Sequence, residues 1–216
     1  MNGKRITHIR KASDGRYLIF VDGENLLSVH EDVLVKFRLY KDMEIEPDLL
    51  REMAEEEEIQ RVKQAALRYL SHRPRTEAEL RNRLLSKGFE AGVCDRVVEE
   101  MKELGYINDH WFVRAWIRER QDGKKLGAKR LRQELIRKGI APSLVDEALM
   151  EIPDDRQRQM AMELAERRCL RLVGEPWRNI ERKVGAYLLR RGFGMEDVMS
   201  VLKELRLRHE QEEGKR

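Results

Sequence analysis

The segment GKKLGAKR, from Gly123 to Arg130, combines glycines and lysines in the manner of a phosphate-cradling loop, so a nucleotide site is the first chemistry to test. It fails the test. The glycine spacing is one residue short, Lys129 is followed by Arg130 where Ser or Thr would ligate magnesium, and the preceding residues have a helical pattern where a strand is required. ATP hydrolysis by this chain is not expected. The five histidines, His8, His30, His72, His110 and His209, are scattered, and none stands at metal-ligand spacing from a Cys, Asp or Glu. Cys94 and Cys169 are far apart within apolar, helix-like patterns, which suggests neither a disulfide framework nor a metal site. No nucleophile elbow, Cys-His signature or HExxH motif occurs. The expectation is a non-enzymatic protein without cofactor or metal.

What the segment does carry is charge. Between Lys124 and Ile140 stand seven Lys or Arg and one acid, Glu134, and residues 114–138 hold ten basic against three acidic side chains. The whole chain nearly balances, with 44 basic and 40 acidic residues, and its first sixty residues lean acidic, nine against fourteen. So local an excess attracts polyanions or an acidic protein surface, with a reach of about 8 Å at physiological salt. Arg114, Arg118, Lys124, Lys125, Lys129, Arg130, Arg132, Arg137 and Lys138 are the candidate contacts. With Leu131 and Leu135 turned inward on a helix, Lys125, Lys129 and Arg132 point away while Arg130, Arg137 and Lys138 flank the apolar stripe. Gly127 falls at the N-cap, where the first backbone N–H groups would be open to an anion or carboxylate. The competing reading is a solvated basic face with no partner. Trp111, Phe112 and Trp116 lie beside this charge and could stack on unpaired bases, but Phe112 and Trp116, four apart, have the spacing of core residues. Trp177 suits a core or an interface equally.

The elements that position these residues are mostly helical. Residues 4–30 read as short strands around the β-forming run Tyr17–Val21, with turn signals SDG and DGEN on either side, giving a hairpin or meander that needs a neighbour to pack on, through the segment EDVLVKFRLY. A helix begins at Glu46-Pro47-Asp48. Its acidic run Glu55–Glu58 reads as a solvated face linking two regions. No signal-like apolar run opens the chain and no stretch of eighteen apolar residues occurs, so a cytoplasmic protein without a membrane span is expected.

After residue 59 the chain repeats itself. Aligned on Gly88, Gly139 and Gly192, the apolar positions coincide: Leu80, Leu131 and Val184 eight residues before; Leu84, Leu135 and Leu188 four before; Phe89, Ile140 and Phe193 one after; Cys94, Val145 and Val198 six after. Such agreement implies three copies of one supersecondary unit. Each glycine follows a Lys or Arg, as a helix C-terminus prefers, and with the glycine as the left-handed cap residue the pairs Leu84–Phe89, Leu135–Ile140 and Leu188–Phe193 become the apolar contacts of Schellman caps. Thr76 and Glu79 make a capping box at the start of the first copy. With upstream helices near 59–71, 109–121 and 154–172, the expected fold is mainly α. Three tandem three-helix repeats, at 59–107, 108–153 and 154–210, form an elongated curved array behind an N-terminal small β and helical linker region, 1–58.

The stretch YINDHWFVRAWIRERQDGKKLGAKRLRQELIRKGIAPSLVDEAL, from Tyr106 to Leu149, resembles the RecX family of bacterial recombination regulators. The likeness spans about residues 59–205 and rests on Asp109, Trp111, Phe112, Gly127, Arg130, Leu131, Leu135 and Gly139. It implies a monomeric, non-enzymatic regulator of recombination and DNA repair that lies along the RecA recombinase filament and blocks its extension, ATP hydrolysis and strand exchange. The basic middle repeat would then face acidic recombinase surface or nucleoprotein charge, with weak non-specific binding to single- or double-stranded DNA. The alternative is a direct DNA-binding module of helix-turn-helix type.

Overall fold

Tyr17–Val21 forms one of the two inner strands of a small sheet in the computed structural model, which describes residues 4–213. Strands β1 (Lys4–Lys11), β2 (Tyr17–Val21), β3 (Glu24–Val29) and β4 (Glu44–Ile45) are antiparallel in the order β3-β2-β1-β4. The β2–β3 connection is the two-residue loop Asp22-Gly23, and both residues have positive φ, the conformation that the twist of a tight hairpin demands. Helix α1 (Glu31–Lys36) follows, built from the EDVLVK part of the segment expected to do the packing. Ile6, Ile19, Val21, Val29, Val33, Leu39 and Ile45 form the core beneath this sheet, closed by Met53 from the long helix α2 (Pro47–Leu70). The two-residue strand β4 was not foreseen, because so short a run has no alternation to detect.

Helix α2 starts at Pro47 behind Glu46, in agreement with its sequence signals, and runs without a break through residue 58. The acidic run on it is the expected solvated face only in part: Glu55 is exposed and Glu58 half-buried, but the two acids between them are not solvated. Glu56 and Glu57 are buried, each about 8% exposed. Glu57 accepts hydrogen bonds from Arg16 Nη2 (2.5 Å) and the His30 backbone N–H (2.6 Å), and Glu56 accepts from Lys36 Nζ (2.5 Å) and Gln60 Nε2 (3.1 Å). Burial alone would raise the Glu56 pKa. The bonds from Lys36 and Gln60 and the charges of Lys36 and Lys63 outweigh it and hold the carboxyl below its ordinary value. These acids tie α2 to the sheet region, the work that buried charges do when they are paired.

The remaining helices are α3 (Glu77–Leu85) and α4 (Ala91–Glu103), then α5 (Asp109–Lys124), α6 (Ala128–Arg137) and α7 (Pro142–Met150), then α8 (Asp154–Cys169), α9 (Trp177–Arg191) and α10 (Met195–Glu213). Counting the end of α2, each repeat has three. The chain divides into two compact units, one comprising residues up to Pro74 with Leu80–Tyr106, the other Arg75–Glu79 with everything from Ile107. In the second unit the middle repeat gathers Phe112, Val113, Ile117, Leu131, Leu135, Ile140 and Val145, and the third gathers a separate core around Val184, Leu188, Phe193, Val198 and Val201.

The glycines used to align the repeats all take left-handed conformations, Gly88 at φ 84°, Gly139 at 82° and Gly192 at 91°. After α6, Ile140 N–H donates to the Leu135 carbonyl (3.2 Å) and Gly139 N–H to that of Ile136 (2.9 Å); after α9, Phe193 and Gly192 repeat the pair with Leu188 (3.3 Å) and Leu189 (3.0 Å). Both bonds of a Schellman cap are present in each case. Leu135, a fully buried member of one cap, should cost about 2–5 kcal/mol when replaced by Ala. Denaturant unfolding of Leu135→Ala measures this, and a shift below about 0.5 kcal/mol would contradict the packing described.

Candidate functional site

The middle repeat is held by its own charges as much as by its core. Asn108 caps α5, its Oδ1 accepting from Trp111 N–H (2.8 Å), and Lys125 ends the helix in a left-handed turn. Phe112 is buried and Trp116 stacks on it with ring centroids 5.7 Å apart. The Arg120 guanidinium lies 4.0 Å from the Trp116 centroid and Lys138 Nζ 4.5 Å from it, while Trp116 Nε1 donates to Glu134 (3.3 Å). Desolvated cations against an indole attract it more strongly than exposed ones. Trp111, in contrast, remains 56% exposed.

The nine basic residues singled out by sequence do not form one uniform surface. Arg114 grips Glu151 with two bonds (3.0 and 2.6 Å) and Arg132 grips Asp146 likewise (2.6 and 3.1 Å). Arg130 lies 3.5 Å from Glu134, one turn along α6. Lys125 does not point away as expected: it is half-buried and bonded to Glu163 of α8. Lys138 is more enclosed still, paired with Glu79 at 2.6 Å with both side chains less than a fifth exposed. Arg118, Lys124, Lys129 and Arg137 are exposed, and their side chains have no ion pair among the described residues. Lys129, Gln133 and Arg137 succeed one another at four-residue spacing and form an exposed row opposite Leu131 and Leu135, so Arg137 points away from the apolar stripe and does not flank it as expected.

The N-terminus of α6 is not an open anion site. Gly127 N–H donates to the Arg191 carbonyl (3.0 Å), Lys129 N–H to that of Gly192 (3.0 Å), and Ala128 N–H to Gln157 Oε1 (3.3 Å). A Cβ on Gly127 would overlap the Gly192 backbone, and one on Gly192 would overlap Arg130. The expected vacancy is thus filled by the cap of α9, whose free carbonyls are the complement of the free N–H groups of α6. Arg191 reinforces the contact by donating from Nη1 to the Lys124 carbonyl (2.6 Å). A related arrangement joins Arg75–Glu79 to the end of α6, where Thr76 Oγ1 donates to the Lys138 carbonyl (2.7 Å) and a Cβ on Gly139 would overlap Ala78. The capping box itself is formed: Thr76 N–H donates to Glu79 Oε2 (3.3 Å) and Glu79 N–H to Thr76 Oγ1 (3.1 Å).

Residues that pattern reading missed cluster at this α6–α9 junction. Arg156 reaches Asp122 (2.7 Å), and the buried amides of Gln121 and Gln157 each have an Nε2 without a hydrogen-bond partner among the described residues. The one signal available was the equivalence of Gly127 with Thr76, since Thr76 makes the same kind of contact. Both thiols are pushed up by burial, so Cys94 and Cys169 are poor nucleophiles. Among the described residues no group of three His, Cys, Asp or Glu could hold a metal, and no helix is long and apolar enough to cross a membrane.

Three family models describing the first, second and third three-helix domains of RecX match residues 63–101, 108–149 and 154–202. The chain belongs to the RecX family. Regulatory protein RecX of Geobacillus kaustophilus is 34% identical over 187 residues, covering 87% of this chain and 70% of that protein, and the protein of the same name in Clostridium beijerinckii is 28% identical over 199 residues, covering 91% and 92%. A crystal structure of regulatory protein RecX superposes with a TM-score of 0.80 at 28% identity, covering 93% of this chain and 99% of that one. RecX from Lactobacillus salivarius gives 0.66 at 27%, covering 69% and 97%. The RecX-type chain described here is therefore a regulatory protein with the three tandem domains of its family behind a small antiparallel sheet.

Two outcomes follow from the geometry. Gly192→Ala forces a side chain into a left-handed position pressed against Arg130, and should cost at least about 1–2 kcal/mol in denaturant unfolding; wild-type stability would mean that the α6–α9 contact is dispensable. Hydrogen bonds from Arg132, Arg114 and Lys125 hold the carboxyls of Asp146, Glu151 and Glu163 below their ordinary values. A depressed folded-state pKa gives stability that is complete above the unfolded value of about 4 and is lost as pH falls through the folded one. The melting temperature should accordingly drop below about pH 4, and Asp146→Asn with Glu163→Gln should flatten that drop; an unaltered acid profile would contradict it.

Proposed function

We propose that this RecX-type regulator binds the RecA recombinase filament and inhibits its extension, ATP hydrolysis and strand exchange, acting as a cytoplasmic monomer that catalyses no reaction itself and needs no cofactor. The observation that carries the reading is the sorting of charge on the middle repeat. Five of the nine cations are taken up by internal acids, while Lys129 and Arg137 stand outward on α6, with Arg118 and Lys124 also unpaired. Exposed cations without internal partners contribute little to stability, and their natural use is to meet an acidic surface and to speed encounter with it.

The helix-turn-helix alternative is the weaker reading on one specific ground. A recognition helix presents its N-terminal residues to the base edges of the major groove. In α6 those residues are seated on the α9 cap through the N–H groups of Gly127 and Lys129 and on Gln157 of α8 through that of Ala128, which leaves only the flank of the helix for phosphates.

Lys129→Glu with Arg137→Glu reverses the outward row without disturbing a buried contact. The double variant should keep its melting temperature and inhibit recombinase ATPase at least about tenfold less effectively, a loss of some 1.4 kcal/mol in filament binding. Full inhibition by the double variant would exclude this face. For direct DNA binding through about six phosphates, affinity in the absence of recombinase should follow salt with a log–log slope near −5, and the proposal expects a much shallower one.

A further inference from the structure

The first sixty residues are acidic in sum, yet β1 carries Lys4, Arg5, Arg10 and Lys11 together with His8, and no acid. All five are exposed. The strand pairing sets His8 opposite Phe20 and Arg10 opposite Leu18, on the face of the sheet away from the buried Ile6 and Ile19. There the His8 ring stacks on Phe20 with centroids 3.9 Å apart and planes 14° from parallel, and the Arg10 guanidinium lies 5.5 Å from the same Phe20 ring. Arg5 is paired with Glu44, both more than half exposed, and Lys4, Arg10 and Lys11 have no ion pair among the described residues. The strand thus sets a flat, solvent-facing ring beside one free guanidinium, Arg10, on the opposite side of the sheet from its core, while Lys4, opposite Ile45, and Lys11, opposite Tyr17, stand at its two ends on the core side.

We infer that this outer sheet face binds single-stranded nucleic acid, a base extending the His8–Phe20 stack while the adjacent phosphate meets Arg10. The pairing of features selects the ligand. Phosphate alone, or an acidic peptide, would use the cations but not the ring. A duplex keeps its bases stacked on one another and offers none to His8, whereas an unpaired strand supplies a π-face and a phosphate in each nucleotide. A four-stranded sheet with stacked rings and a guanidinium on its open face has the chemistry such strands require. The inference uses none of the repeat surface assigned to the recombinase, so the two stand or fall separately.

The test uses the full chain without recombinase and follows the anisotropy of a labelled oligo(dT) of roughly 16 nucleotides, the upper size for one such platform, against a duplex of equal length and inorganic polyphosphate. His8→Ala should weaken oligo(dT) binding about tenfold and leave polyphosphate and duplex binding unchanged, while His8→Phe, which keeps a ring in place, should restore it. Arg10→Gln should weaken oligo(dT) and polyphosphate alike and reduce the salt slope for oligo(dT) by about 0.7, the loss of one phosphate contact. Unchanged oligo(dT) affinity in His8→Ala would overturn the inference, as would an equal loss for oligo(dT) and duplex. Because His8 and Arg10 are exposed, each variant should melt with the parent; if His8→Ala lowers the melting temperature, the comparison of His8→Phe with Arg10→Gln still decides.

Discussion

The carbonyls that α9 cannot satisfy within itself and the N–H groups that α6 cannot satisfy within itself are satisfied by each other. Bonds from Gly127 N–H to the Arg191 carbonyl and from Lys129 N–H to that of Gly192 let one helix end serve as the cap of another. The contact admits no Cβ at Gly127 or Gly192, and the left-handed turn at Gly192 brings the backbone close enough to make it. The helix dipoles agree with this arrangement, since the negative end of α9 meets the positive end of α6. The cores of the second and third repeats are separate clusters, so what joins them at this place is polar and directional. Asp122–Arg156 and Lys125–Glu163 add charge to the same joint.

That joint also decides which cations remain for a partner. Lys125, drawn to Glu163, and Lys138, held between Glu79 and the rings of Phe112 and Trp116, are structural. Arg114 and Arg132 bind acids of their own repeat through geometry that favours guanidinium over ammonium. What is left outward is a smaller set than the raw count of basic residues implies, and Lys129 with Arg137 on α6 is its most regular part. Charge counted along a chain overstates charge offered to a partner whenever acids from other elements reach it.

The repeats were legible because their signals are local. A glycine after a basic residue, an apolar residue four before and another one after describe a Schellman cap within six residues, and Leu135, Gly139 and Ile140 form one, as do Leu188, Gly192 and Phe193. The start of α2 behind Glu46 and the capping box at Thr76 are likewise short-range. What pattern could not reveal was the partner of each end. Gly127 reads as an open N-cap until Gly192, distant in sequence, is placed on it. Glu56 and Glu57 read as solvated until Lys36, Arg16 and the His30 backbone are brought to them. In each case a local rule described the group correctly and a long-range contact decided its use.

The account as a whole rests on the RecX-type repeats offering their unpaired cations to the polymeric recombinase and not to DNA or to isolated subunits. Co-sedimentation of the purified chain with recombinase assembled on single-stranded DNA, beside recombinase alone and DNA alone, addresses this most directly. Enrichment with the assembled filament well above the sum of the two controls is the predicted result. Equal recovery with DNA alone, or none with the filament, would contradict it.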